Sequence, residues 1–273
     1  MIEMHGLQKH KSLYMKVSTM AEFIANGVQP DVLFWVGCAG SFDQRAQKIT
    51  KAFATILDKA GVNYAILGKE EACTGDPARR AGNEFMFQMM AYQNIQVLNG
   101  YNIKKIVTTC PHCFNTLKNE YPVLGGNYDV IHHTVFLQEL IEQGKIKFTD
   151  SNEWKGKSIT YHDSCYLGRA NEIYEAPRKV LESLDMELRE MKRCKSKGLC
   201  CGAGGAQMFK EEEKGDKRIN TERAEEARAT ATDFVASACP FCNTMISDGL
   251  KVGEAEKDPE VLDIAEIIAK AIQ

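Results

Sequence analysis

Lys105-Ile-Val-Thr-Thr-Cys110-Pro-His-Cys113 reads as a β-rich run that ends on a CxxC turn, and Asp233-Phe-Val-Ala-Ser-Ala-Cys239-Pro-Phe-Cys242 repeats the design later in the chain. Cys38 and Cys73 precede the first turn as Cys165 and Cys200 precede the second, at a constant offset of 127 residues, while the CxxC pairs lie 129 apart. A two-residue insertion therefore separates two copies of one pattern. Nine of the ten cysteines belong to it, so the chain is an internal duplication built around sulfur. The copies agree beyond cysteine: Cys110-Pro-His-Cys113-Phe-Asn-Thr matches Cys239-Pro-Phe-Cys242-Asn-Thr with one gap, and Cys73-Thr-Gly-Asp-Pro matches Cys200-Cys-Gly-Ala-Gly. Where the second copy has Cys201, the first has Thr74.

The same alternation of elements frames both copies. Residues 32–36 predict a strand ending at Gly37-Cys38, and Ala46, Ile49, Phe53, Ile56 and Leu57 follow at helical spacing. A strand at 64–67, a turn-rich loop at 73–77, a long helix over 79–99 and the strand at 105–109 complete the first set. The second set runs in the same order: strand 158–161, the Cys165 loop, helix 170–184, strand 186–191, the Gly-rich loop 200–205, helix 217–230 and strand 233–237. Each half closes with an amphipathic helix, 134–143 and 260–271. Such alternation predicts an α/β fold of two homologous Rossmann-like halves with parallel sheets. The cysteine sites fall at the C-terminal ends of strands, the edge where open α/β sheets bind ligands. The expected division is an N-terminal extension with a short helix (1–30, N-cap Ser18 or Thr19), a first cysteine-rich repeat (31–150) and a second (151–273).

With 34 basic and 37 acidic residues the charge is nearly balanced and carries no nucleic-acid bias. The first 30 residues lack the continuous apolar core of a secretory signal, and no run reaches the roughly 18 apolar residues of a membrane span. A cytoplasmic setting is expected, with membrane association only through a partner. In that reducing compartment clustered cysteines bind metal or do redox work more often than they form disulfides.

Three chemistries compete for the thiols. Structural zinc takes four ligands in a tetrahedron, and the second copy offers five. An iron–sulfur cluster accepts thiolates from dispersed positions. A CxxC that follows a strand and opens a helix also fits a thiol–disulfide redox pair, since the helix N-terminus lowers a thiol pKa. The repetition of Cys38 and Cys73 with the CxxC as a set favours the cluster, because a dithiol site needs no distant cysteines. Gly202, Gly204 and Gly205 support it, as residues able to adopt positive φ and to aim backbone N–H groups at an anion.

The motif Cys165 … Cys200-Cys201-Gly202 … Cys239-Pro-Phe-Cys242 resembles the cysteine-rich CCG domain. That domain occurs in tandem in the disulfide-cleaving subunit of heterodisulfide reductase and in iron–sulfur subunits of anaerobic glycerol-3-phosphate dehydrogenase and of the lactate-utilisation system. The resemblance covers about residues 32–272. It implies Cys165, Cys200, Cys201, Cys239 and Cys242 as ligands of a non-cubane 4Fe–4S cluster. In the first copy Thr74 is a poor soft-metal ligand, which leaves Cys38, Cys73, Cys110 and Cys113 for a 4Fe–4S cluster or zinc. The expected function is an iron–sulfur electron-transfer subunit between a flavin-linked dehydrogenase or electron-transfer flavoprotein and a quinone-linked partner. The chain lacks a ferredoxin-type CxxCxxCxxxCP run, so electrons pass through another polypeptide, a flavoprotein, ferredoxin-type or quinone-linked subunit. The alternatives are a cluster-based disulfide reductase and a zinc-stabilised scaffold.

Other residues have simpler readings. Cys194 lies outside the repeat, opposite Leu67, and reads as an idle thiol. His162-Asp163 reads as a locally bonded strand end, with a hydrogen bond to a thiolate as the alternative. His132-His133 reads as a helix cap or surface pair, with a supporting hydrogen bond behind the metal ligands as the alternative. Arg169 and Arg79-Arg80 read as solvated helix ends, with offsetting of cluster charge as the alternative, and 210–228 as an exposed charged face with i,i+4 pairs or a partner-docking surface.

Overall fold

The computed structural model describes residues 17–148, 152–211, 214–252 and 257–272. Its element order is α1 (Met20–Ala25), β1 (Val32–Trp35), α2 (Gly37–Phe42), α3 (Gln44–Lys59), β2 (Tyr64–Ala65), α4 (Asp76–Arg80), α5 (Glu84–Gly100), β3 (Lys105–Thr108), α6 (Pro111–Asn115), β4 (Asp129–His132) and α7 (His133–Glu142). The second half contains β5 (Ser158–Tyr161), α8 (Glu175–Glu182), β6 (Glu187–Leu188), α9 (Ile219–Arg228), β7 (Phe234–Ser237), α10 (Pro240–Leu250), β8 (Glu260–Asp263) and α11 (Ile264–Ala271). The strands form two all-parallel sheets of one design, β2-β1-β3-β4 and β6-β5-β7-β8. The expected boundary at 150/151 lies outside the described residues, as does most of the N-terminal extension. Its one described helix, α1, is capped by Thr19 and buries Met20 in the first half's core.

Strand order decides where the cysteines go. After β1 the chain passes to one side of the sheet to form β2, then crosses back to form β3, so the loops leaving β1 and β3 diverge and open a crevice between them. Cys38 follows β1 and Cys110 follows β3; in the second half Cys165 follows β5 and Cys239 follows β7. The register is equivalent, with Phe34 opposite Val107 and Tyr161 opposite Ala236. Trp35 and His162 therefore occupy matching positions. Both β1 and β5 are buried along their whole length, as expected of strands covered on both faces.

Several boundaries differ from the sequence reading. The helix expected over 79–99 is two helices, because Gly82 takes a positive φ and the Asn83 side chain accepts from the Met86 N–H to start α5 anew. The helix expected over 170–184 shrinks to α8, whose first turn holds Pro177, a residue tolerated there and not further along. The strand expected over 186–191 is only β6. The closing helix expected over 260–271 starts at Ile264: Asp263 and Glu266 form a capping box, and Val261 and Leu262 belong to a fourth strand. The equivalent fourth strand of the first half, β4, has no counterpart in the sequence reading. The one-residue gap after the first CxxC appears as a π-helical turn, Thr116–Glu120, the usual way a helix absorbs an extra residue.

The halves share one core. α3 packs on α11 and α7 on α8, and these pairs are equivalent because α3 corresponds to α8 and α7 to α11. Arg45 on α3 makes a bidentate pair with Glu266 on α11, and His133 Nε2 meets Asp263 Oδ1 at 3.1 Å in full burial. No helix of the described residues is long and apolar enough to cross a membrane.

α9 and α10 press together at Gly249, where a Cβ would lie 2.4 Å from the Asn220 carbonyl oxygen and 2.8 Å from its carbon. Gly249→Ala should therefore cost about 1–3 kcal/mol of stability by forcing backbone apart. Gly100→Ala, in open space at the end of α5, should be neutral or stabilising by up to about 1 kcal/mol. Urea unfolding midpoints check both, and equal midpoints would show that the α9–α10 contact is not tight.

Candidate metal centre

Each site is assembled from three loops at the sheet crevice. In the first, Cys38 lies in α2, Cys73 in the loop before α4, and Cys110 and Cys113 at the entry to α6. Gly37 (φ +79°) brings the backbone close enough that a Cβ there would lie 3.4 Å from Cys113 Sγ. Gly75 (φ +87°) donates its N–H to Cys73 Sγ at 3.5 Å, and its equivalent Gly202 (φ +90°) donates to Cys200 Sγ at 3.3 Å. Both backbone donors require the left-handed turn that glycine allows.

The thiols interact in two runs. Cys38 bonds Cys73. Cys113 bonds Cys110, Cys110 bonds Cys239, Cys239 bonds Cys242, Cys242 bonds Cys201, Cys201 bonds Cys200 and Cys200 bonds Cys165. The structure thus brings together all nine repeat cysteines, and the two sites abut through Cys110 and Cys239. Cys194 joins neither run, is half-buried, and has its thiol pKa pushed up by burial.

Crowding sets the ionisation. Cys200 lies far below the ordinary thiol range because it accepts from Cys165 and Cys201, and Cys165 is raised by that same bond and by burial. Cys110 is lowered by accepting from Cys113 and Cys239, both of which rise. Cys201 is raised by its bonds to Cys200 and Cys242; Cys242 accepts from Cys201 yet is pushed up by its bond to Cys239 and by burial. Cys38 is raised by its bond to Cys73, and Cys73 falls to about 7 as the acceptor. A thiolate forms only where a neighbour keeps its proton. Full ionisation of either set requires a cationic group among the sulfurs, and the donor chemistry fits a soft, thiophilic one.

Carboxylates tie the cysteine loops together. Glu71, two residues before Cys73, accepts the N–H groups of Val36 (3.0 Å) and Gly37 (2.6 Å), which precede Cys38. Burial raises it to about 7. In the second half the tie runs the other way: Asp163, two residues before Cys165, accepts the Lys195 N–H at 2.6 Å and pairs with the buried Arg178, which also holds Glu190. Where the sites meet, His112 bonds Asp76 through Nδ1 at 3.0 Å and packs on Tyr166 and Phe241. Against the cost of burial, that bond and the charge on Cys110 raise His112.

The remaining expectations divide. His132 and His133 are fully buried, which overturns a surface placement, and His132 Nδ1 caps α7 by accepting the Thr134 N–H. Arg79 and Arg80 are not simply solvated: both pair with Glu120, and Arg80 with Asp76. Arg169 donates to the Gly198 carbonyl. In 210–228, Arg223 is fully buried, and the ion pairs formed by its neighbours mostly reach other segments, as in Arg193–Glu222 and Arg218–Asp248. The sequence signal for that buried face is Asn220, Ala224 and Ala227, small or neutral residues at helical spacing. His162 is fully buried and accepts at Nδ1 from Arg223 Nε at 2.9 Å. Burial and that cation push it down to about 3, so the ring is neutral. One ring nitrogen lies within 4.8 Å of the sulfurs of Cys201 and Cys242. Glu71, Arg178 and Glu120 escaped the sequence reading because they pair across the sequence, and Asp76 because its bond to His112 spans 36 residues although Arg80 is only four away.

The cysteine-rich domain pattern called CCG matches residues 32–118 and 159–247. Over 254 residues the chain is 43% identical to the EtfAB:quinone oxidoreductase of Syntrophomonas wolfei subsp. wolfei, covering 91% of this chain and 35% of that protein. It is 45% identical to the probable iron-sulfur-binding oxidoreductase FadF of Bacillus subtilis, covering 94% and 36%. It is 36% identical to one of the polypeptides of the dihydromethanophenazine:CoB–CoM heterodisulfide reductase of Methanosarcina barkeri, covering 89% and 59%. The chain thus spans about a third of the first two and three-fifths of the last. A crystal structure of a hypothetical protein from Helicobacter pylori shares the fold at 9% identity, with a TM-score of 0.58 over 89% of this chain and 49% of that one.

In reduced, metal-free protein, alkylation of Cys73 should rise with pH with a midpoint near 7, because reactivity follows the thiolate. Cys200 should react already at acidic pH, where Cys165 and Cys38 stay protonated. Peptide mass spectrometry after timed alkylation checks this; uniform reactivity near the ordinary thiol value would contradict the contact runs.

Proposed function

The chain belongs to the cysteine-rich CCG domain family, and on that premise we propose that it is an iron–sulfur electron-transfer subunit of an oxidoreductase complex. In this reading it passes electrons between a flavin-linked dehydrogenase or electron-transfer flavoprotein and a quinone-linked partner. One observation carries the reading: thiols of both copies lie within interaction range, Cys110 facing Cys239, at the crevice of two like sheets. The resemblance to an EtfAB:quinone oxidoreductase and an iron-sulfur-binding oxidoreductase supports the direction of the relay.

Cys165, Cys200, Cys201, Cys239 and Cys242 would hold a non-cubane 4Fe–4S cluster, and Cys38, Cys73, Cys110 and Cys113 a four-thiolate 4Fe–4S cluster or zinc. Bound clusters would supply one-electron storage without proton release. The protein's own residues do the rest. Gly75 and Gly202 present N–H groups to Cys73 and Cys200, Glu71 and Asp163 fix the spacing of ligand loops, and the shared core excludes water from Cys110, Cys113, Cys201, Cys239 and Cys242.

A catalytic disulfide reductase is favoured by a different observation. A cavity of about 400 Å³ opens between the halves beside Cys38, lined also by Phe42, Met208, Phe209 and Phe241. Reduction of a small disulfide by the isolated, chemically reduced chain would select this reading, and its absence the relay.

Anaerobic preparations should contain both iron and acid-labile sulfide. Electron paramagnetic resonance of Cys201→Ser should show one cluster signal lost or converted and the other unchanged. An unaltered spectrum would refute the ligand assignment, and zinc without sulfide would leave only a scaffold.

A further inference from the structure

Among the fully buried groups of the second half that keep a polar atom unpaired, two are bonded to each other. Arg223 on α9 and His162 at the end of β5 are both 0% exposed. Arg223 donates from Nε to His162 Nδ1 at 2.9 Å, and from Nη1 to the Arg193 carbonyl (2.9 Å) and Glu226 (3.0 Å). A guanidinium has only donors. His162 Nδ1 must therefore present its lone pair, and the proton of the neutral ring is on Nε2. That Nε2–H has no acceptor among the described residues, although its atom is out of water. Leaving a buried N–H unpaired is destabilising, so the group favours an acceptor at the site. The sulfurs of Cys201 and Cys242 lie within 4.8 Å of the ring.

We propose that His162, oriented by Arg223, donates its Nε2–H to the sulfur-bound group held by Cys165, Cys200, Cys201, Cys239 and Cys242, and does not itself ligate metal. The inference rests on the iron–sulfur reading of that site. Direct ligation through Nε2 would require its lone pair, which the Arg223 bond denies while the ring stays neutral. A hydrogen bond to a cluster sulfide or a ligating thiolate stabilises the reduced, more negative state, so the donor raises the potential of that site. Arg223 is a positioning residue: it fixes the tautomer and touches no ligand. The equivalent of His162 in the first half is Trp35, whose buried Nε1–H also lacks an acceptor among the described residues. A ring N–H at the same register is thus present twice, and among the described residues the second copy backs it with a buried cation.

The test uses the full chain, loaded anaerobically with iron and sulfide and labelled with 15N-histidine. Electron–nuclear double resonance on the second-site signal of the wild type should show an exchangeable proton, lost in D2O, and a weak histidine nitrogen coupling. In His162→Leu the nitrogen coupling and the imidazole proton should vanish, leaving the exchangeable Gly202 N–H on Cys200, while His162→Gln should keep a second exchangeable proton without the labelled nitrogen. In redox titrations the second-site midpoint should fall in His162→Leu with the other signal unmoved, and Arg223→Met should weaken the proton coupling. A strong nitrogen coupling of direct ligation, no histidine coupling at all, or an unchanged midpoint in His162→Leu overturns the proposal while the cluster reading stands. Should His162→Leu fail to bind iron, the wild-type couplings decide alone. A wild type without iron and sulfide overturns both.

Discussion

Sulfur atoms withdrawn from water and pressed against one another cannot all carry charge. In this protein that constraint governs nine side chains drawn from six loops. The hydrogen-bonded run from Cys113 through Cys110 and Cys239 to Cys165 leaves protons on most of its members. The fold holds the thiols at this density although hydrogen-bonded thiols alone gain little from it. Two parallel sheets with a switch point at their C-terminal edge, two glycines at φ near +90°, and buried carboxylate ties all act to keep the loops in place. The arrangement is intelligible as a preorganised donor set, in which the scaffold meets the cost of desolvating and aligning the ligands before anything binds.

The two copies have kept geometry and changed electrostatics. Gly75 and Gly202 perform the same task at nearly the same φ. Around them the charges differ. The first site carries Glu71, whose carboxylate makes no ion pair among the described residues and is raised to about 7 by burial. The second carries Asp163 neutralised by Arg178, and a fully buried Arg223 behind His162. Together with Thr74 in place of a thiol, these differences make the sites unequal in number of thiols and in local field.

Most of the architecture was legible because hydrophobic runs and turn residues mark it. The apolar strands, the amphipathic α3 and the CxxC turns each carry a local pattern. What escaped was decided by capping and by distant partners. Asn83 and Gly82 split one periodic stretch into two helices, and the Asp263/Glu266 capping box converts the start of an apolar helix pattern into a strand. Periodicity alone cannot see either. The cysteine spacing was visible in the sequence, yet the approach of Cys110 to Cys239 was not, since packing between the halves, of α10 on α2 and α3 as well as α3 on α11 and α7 on α8, brings the copies face to face. Arg223 was misread for a similar reason: a charged residue in a charged run looks solvated until its neighbours Ala224 and Ala227 are recognised as a buried stripe.

The reciprocal packing of α3 on α11 and α7 on α8 has the form of an isologous dimer interface, with the same surface used from both sides, but here the partners are covalently joined. In a dimer of identical chains every substitution appears twice, so neither centre can be altered without the other. Fusion removes that tie. The joint no longer depends on concentration, and each copy is free to mutate alone. A threonine could replace a sulfur on one side while an arginine was buried on the other, and a symmetric pair of equal centres could become a polarised one.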